Sequence, residues 1–152
     1  MMRILLFVAA LGSAGIASAQ IRAPGIVQRV IPGTRQQPAV IPIDALRAEF
    51  LARTGGDTVF FGNNVSGLSP PARTTLAAQA AWLRQHPDVA VRIEGHGDTG
   101  DSRDHALAMG ARRAEEVRSY VVLLGVPAGQ VTTTSMGKER PGSPRAVTIL
   151  VR

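Results

Sequence analysis

The sequence predicts an α+β fold: a two-layer sandwich in βαβαββ order, with the two helices covering one face of a mixed sheet. Three observations predict it. Val89, Val91 and Ile93 alternate with Ala90, Arg92 and Glu94, the period of a strand with one apolar face. Ala72, Leu76, Ala80 and Leu83 recur at helical spacing before that strand, and Ala114, Val117, Val121 and Leu124 do so after it. Strand-like stretches open the region and close it in direct succession, the order expected of a layered mixed sheet.

The chain has 152 residues and reads from its start as address, tether and domain. Residues 1–19 have the form of a secretory signal. Arg3 supplies a short positive region, residues 4–11 are wholly apolar, and Ala17-Ser18-Ala19 is a small-x-small cleavage site before Gln20. A membrane anchor needs about 18–20 continuous apolar residues, and residues 12–18 are too rich in small and polar types for that. No later run is long enough to span a bilayer, so no transmembrane segment is expected once the signal is removed. Residues 20–43 carry Pro24, Pro32, Pro38 and Pro42, a density that suits an extended linker acting as tether or as partner-binding arm. Residues 44–56 read as a short helix and turn, with Asp44 as N-cap, Leu46 and Phe50 on one face, and Gly55-Gly56 as the stop.

The domain proper is expected over residues 57–152. Thr58-Val59-Phe60-Phe61 is β-branched and aromatic, hence strand-like, and Gly62-Asn63-Asn64 follows as a turn. Ser69 caps the first domain helix with Pro70 at its first position, and Pro87 stops it. After the central strand comes a polar glycine-rich loop, then the second helix, closed by Gly125 and Pro127. Residues 131–135 are threonine-rich and strand-like, 137–144 form a turn region, and 146–151 form the last strand.

Charge and composition exclude some functions. The formal net charge is +6, and loss of Arg3 with the leader leaves +5. A basic surface suits an anionic polymer or membrane face, yet no basic run interleaved with aromatics marks a nucleic-acid binder. There are no cysteines. Disulfides are therefore excluded, and the chain has no cysteine to carry a lipid after the signal.

Gly95-His96-Gly97-Asp98-Thr99-Gly100 spells GxGxxG between a strand and a helix, the form of a dinucleotide fingerprint. The acid that fingerprint needs about 20 residues on would fall on Glu115 or Glu116, inside a helix, and Asp98 would repel a pyrophosphate. His96, Asp98, Asp101, Asp104 and His105 are competent metal ligands, but no pair has a familiar ligand spacing. No GxSxG-type nucleophile motif occurs, and His86 is the only other histidine. Neither a metal, a cofactor nor an enzyme is expected.

Six stretches together carry a resemblance: Thr58-Val59-Phe60-Phe61; Leu68-Ser69-Pro70; Ala81-Trp82-Leu83; residues 91–96 (VRIEGH) with Asp98; residues 107–114 (LAMGARRA); and residues 136–141 (MGKERP). In this combination residues 57–152 resemble the OmpA-like peptidoglycan-binding domain, in particular that of the peptidoglycan-associated lipoproteins. The resemblance implies non-catalytic binding of diaminopimelate in peptidoglycan stem peptides by a periplasmic protein that links the envelope to the wall, with association with the outer membrane as a further expectation. It implies Asp98 and, fifteen positions on, Arg113 as the ligand-gripping pair, with Gly97, Thr99, His105 and Arg145 as further contacts. The chemistry is consistent: a zwitterionic centre asks for one anion and one cation, and arginine offers a carboxylate a bidentate fork that lysine cannot.

The chain departs from the family pattern at several points. Ala106 stands where an asparagine is usual, with His105 beside it as a substitute. Asp101 replaces a glycine, the 142–144 turn is short, and Asn-Arg-Arg is reduced to Ser143-Pro144-Arg145. An alternative is therefore an OmpA-like interaction module that binds another envelope protein, with the proline-rich arm as the contact. Geometry sets one more expectation. An unbroken helix from Ser102 would carry Arg113 about 16 Å along its axis, at 1.5 Å per residue. A break near Met109-Gly110, with Arg113 in the first turn of the main helix, is the predicted solution.

Overall fold

A computed structural model describes residues 41–140 and 142–151. The expected leader and all but the last residues of the expected linker lie outside them. The described residues form three helices, α1 (Ile43–Thr54), α2 (Pro70–Gln85) and α3 (Arg103–Leu123), and four strands, β1 (Thr58–Phe60), β2 (Ala90–His96), β3 (Val131–Gly137) and β4 (Arg145–Val151). The sheet is mixed, in the order β1-β4-β2-β3. β4 is antiparallel to both β1 and β2, whereas β3 runs parallel to β2. This is the predicted α+β sandwich with one helix more.

That helix, α1, belongs to the core and not ahead of it. Leu46 and Phe50 are buried in the same cluster as Leu76, Leu83 and Val91. The Phe50 ring meets Trp82 edge-on at 5.2 Å, a favoured aromatic geometry. The predicted cap is also corrected. Pro42 occupies the N-cap position without a side-chain hydrogen bond, and Asp44 sits inside the first turn. There its carboxylate still faces the positive end of the helix. Gly55 ends α1 in the left-handed conformation, φ 75°.

α2 begins as read: Pro70 stands at its start and Ser69 Oγ accepts from the Ala72 N–H. Between β2 and β4 the inner face pairs Val91 with Leu150 and Ile93 with Thr148. These four side chains are buried, as are Val59 and Ala146, which pair across β1 and β4. Gln79 is the polar member of this layer. Its amide donates to the Gly56 carbonyl and its carbonyl accepts from the Thr148 hydroxyl, so both ends of a fully buried side chain are satisfied.

α3 runs unbroken from Arg103 to Leu123, so the predicted break at Met109-Gly110 does not exist. Ser102 caps it, Oγ accepting from the His105 N–H. The axial estimate failed because it placed Asp98 off the end of the helix. Residues 97–102 instead carry the chain past Asp98 before α3 runs back beside β2. A Cβ on Gly97 would meet the backbone of Ala106, and one on Gly95 would meet the Gly110 carbonyl. Two glycines thus press helix backbone onto strand backbone.

Candidate functional site

The candidate site lies at the C-terminal end of β2, between the middle of α3 and the turn after β1. Side chains on a helix lean toward its N-terminus. The long Arg113 side chain, one turn beyond the Gly110 contact, therefore reaches back to the strand end. Its Nη2 lies 3.1 Å from Asp98 Oδ1 and 3.4 Å from Oδ2. The predicted pair is brought together, by reach and overshoot rather than by a helix break.

The two partners differ in access. The Asp98 side chain is 13% exposed, and that of Arg113 is wholly buried. Each guanidinium nitrogen donates to a backbone carbonyl: Nε to Val65 at 2.9 Å, Nη1 to His96 at 2.8 Å and Nη2 to Gly62 at 3.1 Å. The Phe61 ring centroid lies 5.5 Å from Cζ, within cation–π range. A buried cation is tolerated only when paired and hydrogen-bonded, and here three carbonyls and one carboxylate meet that demand.

Sequence reasoning missed Asn64. Its backbone N–H donates to Asp98 Oδ2 at 2.6 Å, and it holds a left-handed φ of 53°. Asparagine tolerates that region better than other side chains, and the Gly62-Asn63-Asn64 composition was the available signal. The carbonyls of Gly62, Val65 and His96 carried no signal, because a backbone group is the same whatever side chain accompanies it.

The other expected residues fall in different places. His105 is exposed, with Nε2 3.0 Å from Asn64 Oδ1 and 3.4 Å from Asp101 Oδ2. Thr99 is exposed in the loop. Gly97 is buried, its N–H on the Gly137 carbonyl and its face against Ala106. Arg145 donates to the Ser143 carbonyl, and none of its hydrogen bonds among the described residues joins it to Asp98 or Arg113. Among the described residues no three His, Asp or Glu side chains gather as metal ligands. None of the described helices is long and apolar enough to cross a membrane.

A second charged group lies across the sheet. Glu94, on the outer face yet only 3% exposed, accepts from Arg92 at 3.0 Å and from Arg140 at 3.2 Å. His96 beside it is 1% exposed, and its Nδ1 has no protein partner. Burial, and next the nearby Arg145 charge, hold its pKa below the ordinary histidine value.

Known proteins share both sequence and fold with this chain. Residues 60–148 match the family model described as the OmpA family. A peptidoglycan-associated lipoprotein of Mesorhizobium japonicum is 45% identical over 86 residues, which are 57% of this chain and 51% of that protein. One from Rhizobium meliloti is 43% identical over the same length, covering 49% of that protein. The chain thus spans about half the length of the curated relatives it matches. The crystal structure of the peptidoglycan-associated lipoprotein from Burkholderia pseudomallei superposes with a TM-score of 0.61 at 29% identity, over 64% of this chain and 92% of that one. The OmpA-like domain of FopA1 from Francisella tularensis shares the fold at 13% identity, with a TM-score of 0.57 over 62% of this chain and 70% of that one. On the match over residues 60–148, this chain belongs to the OmpA family.

Proposed function

We propose that this chain binds peptidoglycan without catalysis, through the diaminopimelate of its stem peptides. In doing so it links the envelope to the wall from the periplasm, in association with the outer membrane. The observation that carries the reading is the Asp98–Arg113 pair: opposite charges 3.1 Å apart at a strand end, the anion partly open to solvent. The names of the relatives point to the same polymer.

In this reading Asp98 takes the ligand ammonium, since its carboxylate has lone pairs to spare beyond those used by Asn64 and Arg113. Arg113 lies directly beneath. A ligand carboxylate reaches it by displacing the Gly62 or Val65 carbonyl, an exchange that a charged bidentate acceptor favours over neutral ones. Thr99, exposed in the same loop, offers a hydroxyl to the peptide.

The complete burial of Arg113 favours a second reading, an OmpA-like module that recognises another envelope protein. Co-sedimentation of the chain with diaminopimelate-type sacculi separates the two. Asp98→Ala and Arg113→Ala are expected to lose binding, and lysine-type wall is expected not to be bound. Binding that survives both substitutions reduces the interaction to attraction by a basic surface. No binding by the unmodified chain turns the search to protein partners.

A further inference from the structure

We propose that His105 is a positioning residue of this site, acting through Asn64 and not by touching the ligand. The inference rests on the reading that Asp98 grips the ligand. A chain of hydrogen bonds carries it. His105 Nε2 lies 3.0 Å from Asn64 Oδ1, and the Asn64 N–H lies 2.6 Å from Asp98 Oδ2. The carbonyl oxygen of the Asn64 amide can only accept, so in this pairing Nε2 carries the proton and donates to it.

The 62–65 turn needs holding. Asn64 sits at φ 53°, a region that costs energy for any residue with a Cβ. Its exposed position gives it little packing to offset that cost. Two contacts grip the turn from inside: Arg113 on the Gly62 and Val65 carbonyls, and Asp98 on the Asn64 N–H. His105 is the grip from outside, from the first turn of α3, where Ser102 caps the helix through the His105 N–H. Asn64 thus ties the rigid helix start to the carboxylate. With this tie in place Oδ2 is directed at Asn64 and the remaining lone pairs of Asp98 face the mouth of the site.

This role makes predictions that a direct contact would not. His105→Ala removes the donor, whereas His105→Gln keeps an N–H at comparable reach. Asn64→Gly keeps the backbone N–H and the left-handed turn at no steric cost but removes the His105 acceptor. Wall binding is expected to weaken about 2- to 10-fold in His105→Ala, the range of one net hydrogen bond, and to recover in His105→Gln. In an Asn64→Gly background, His105→Ala should cause no further loss.

A second readout does not depend on the wall: amide hydrogen exchange at Asn64, whose N–H reports the Asp98 contact directly. Exchange several-fold faster in His105→Ala, restored in His105→Gln, supports the positioning role. Unchanged exchange at Asn64, or a binding loss that adds in full to that of Asn64→Gly, overturns it. Failure of the unmodified chain to bind sacculi overturns the proposed function instead, and the exchange measurement still decides the role of His105.

Discussion

Arg113 and Asp98 stand fifteen residues apart in the chain and 3.1 Å apart in space, with the arginine wholly buried and the aspartate partly open to solvent. The cation is therefore as much a part of the fold as of any binding site. It joins β2, α3 and the turn after β1 through the carbonyls of His96, Gly62 and Val65. Removing it strands a carboxylate and three backbone acceptors together.

Arg113→Ala is accordingly expected to lower unfolding free energy by about 3 kcal/mol or more, the scale for breaking a buried pair. Arg113→Lys should recover only part, because an ammonium cannot span acceptors placed for a planar fork. Urea unfolding of both variants checks this, and it supplies the stability control for any wall-binding assay.

The glycines between residues 95 and 100 separate by the space around them. A Cβ on Gly95 meets the Gly110 carbonyl and, at 3.0 Å, the Ala114 side chain, whereas one on Gly100 meets nothing within 4 Å. Gly95→Ala forces two backbones apart and should cost about 3 kcal/mol, the upper end for overpacking. Gly100→Ala should fall within about 0.5 kcal/mol of the parent. Equal effects in thermal unfolding would mean that the helix–strand approach is not set by these glycines.

His96 predicts a pH dependence of stability. Its folded pKa lies below the ordinary histidine value because of burial first and Arg145 next, with Glu94 opposing and Arg140 adding. The unfolded chain therefore binds the proton more readily, and stability rises with pH between the folded and unfolded values. The full contribution is present above the unfolded value and is lost as pH falls below it. Comparing the parent with His96→Gln by urea unfolding at pH 7.5 and 5.5 isolates the effect: the parent should lose more stability on acidification.

Gln79 offers a test of buried polar satisfaction. Gln79→Met keeps the length of the side chain but leaves the Thr148 hydroxyl without a partner and takes from the Gly56 carbonyl one of its two donors, the other being the Thr54 hydroxyl. A loss of about 1–3 kcal/mol is expected. Adding Thr148→Val should restore part of it by removing one stranded group. A double-mutant cycle read by chemical denaturation gives the coupling, and strict additivity would contradict the contact.

Much of the fold was legible because it is written in local patterns. The alternation at 89–93 names the inner face of β2, Ser69-Pro70 marks the start of α2, and Gly125 with Pro127 marks the end of α3. Asp98 and Arg113 were legible as a pair, through a resemblance that covers the whole domain. The expected helix break was a misreading of where the loop goes. Six residues of loop can end short of a strand end or pass beyond it, and nothing in their composition distinguishes the two. The membership of α1 in the core was hidden for a similar reason: Leu46 and Phe50 give an apolar stripe, but a stripe does not say what covers it.

By itself the sequence determined most element types and their order, whereas the two charges of the candidate site were named through the resemblance. Element type depends on side-chain type at short range, which is printed in the chain. Only the tertiary structure decided that β4 inserts between β1 and β2, that α3 passes its strand without a break, and that Arg113 is clasped by backbone carbonyls while Asn64 bonds both His105 and Asp98. Those contacts join residues far apart in the chain, and several of their acceptors are backbone carbonyls. A carbonyl becomes a partner only when the fold has brought it there.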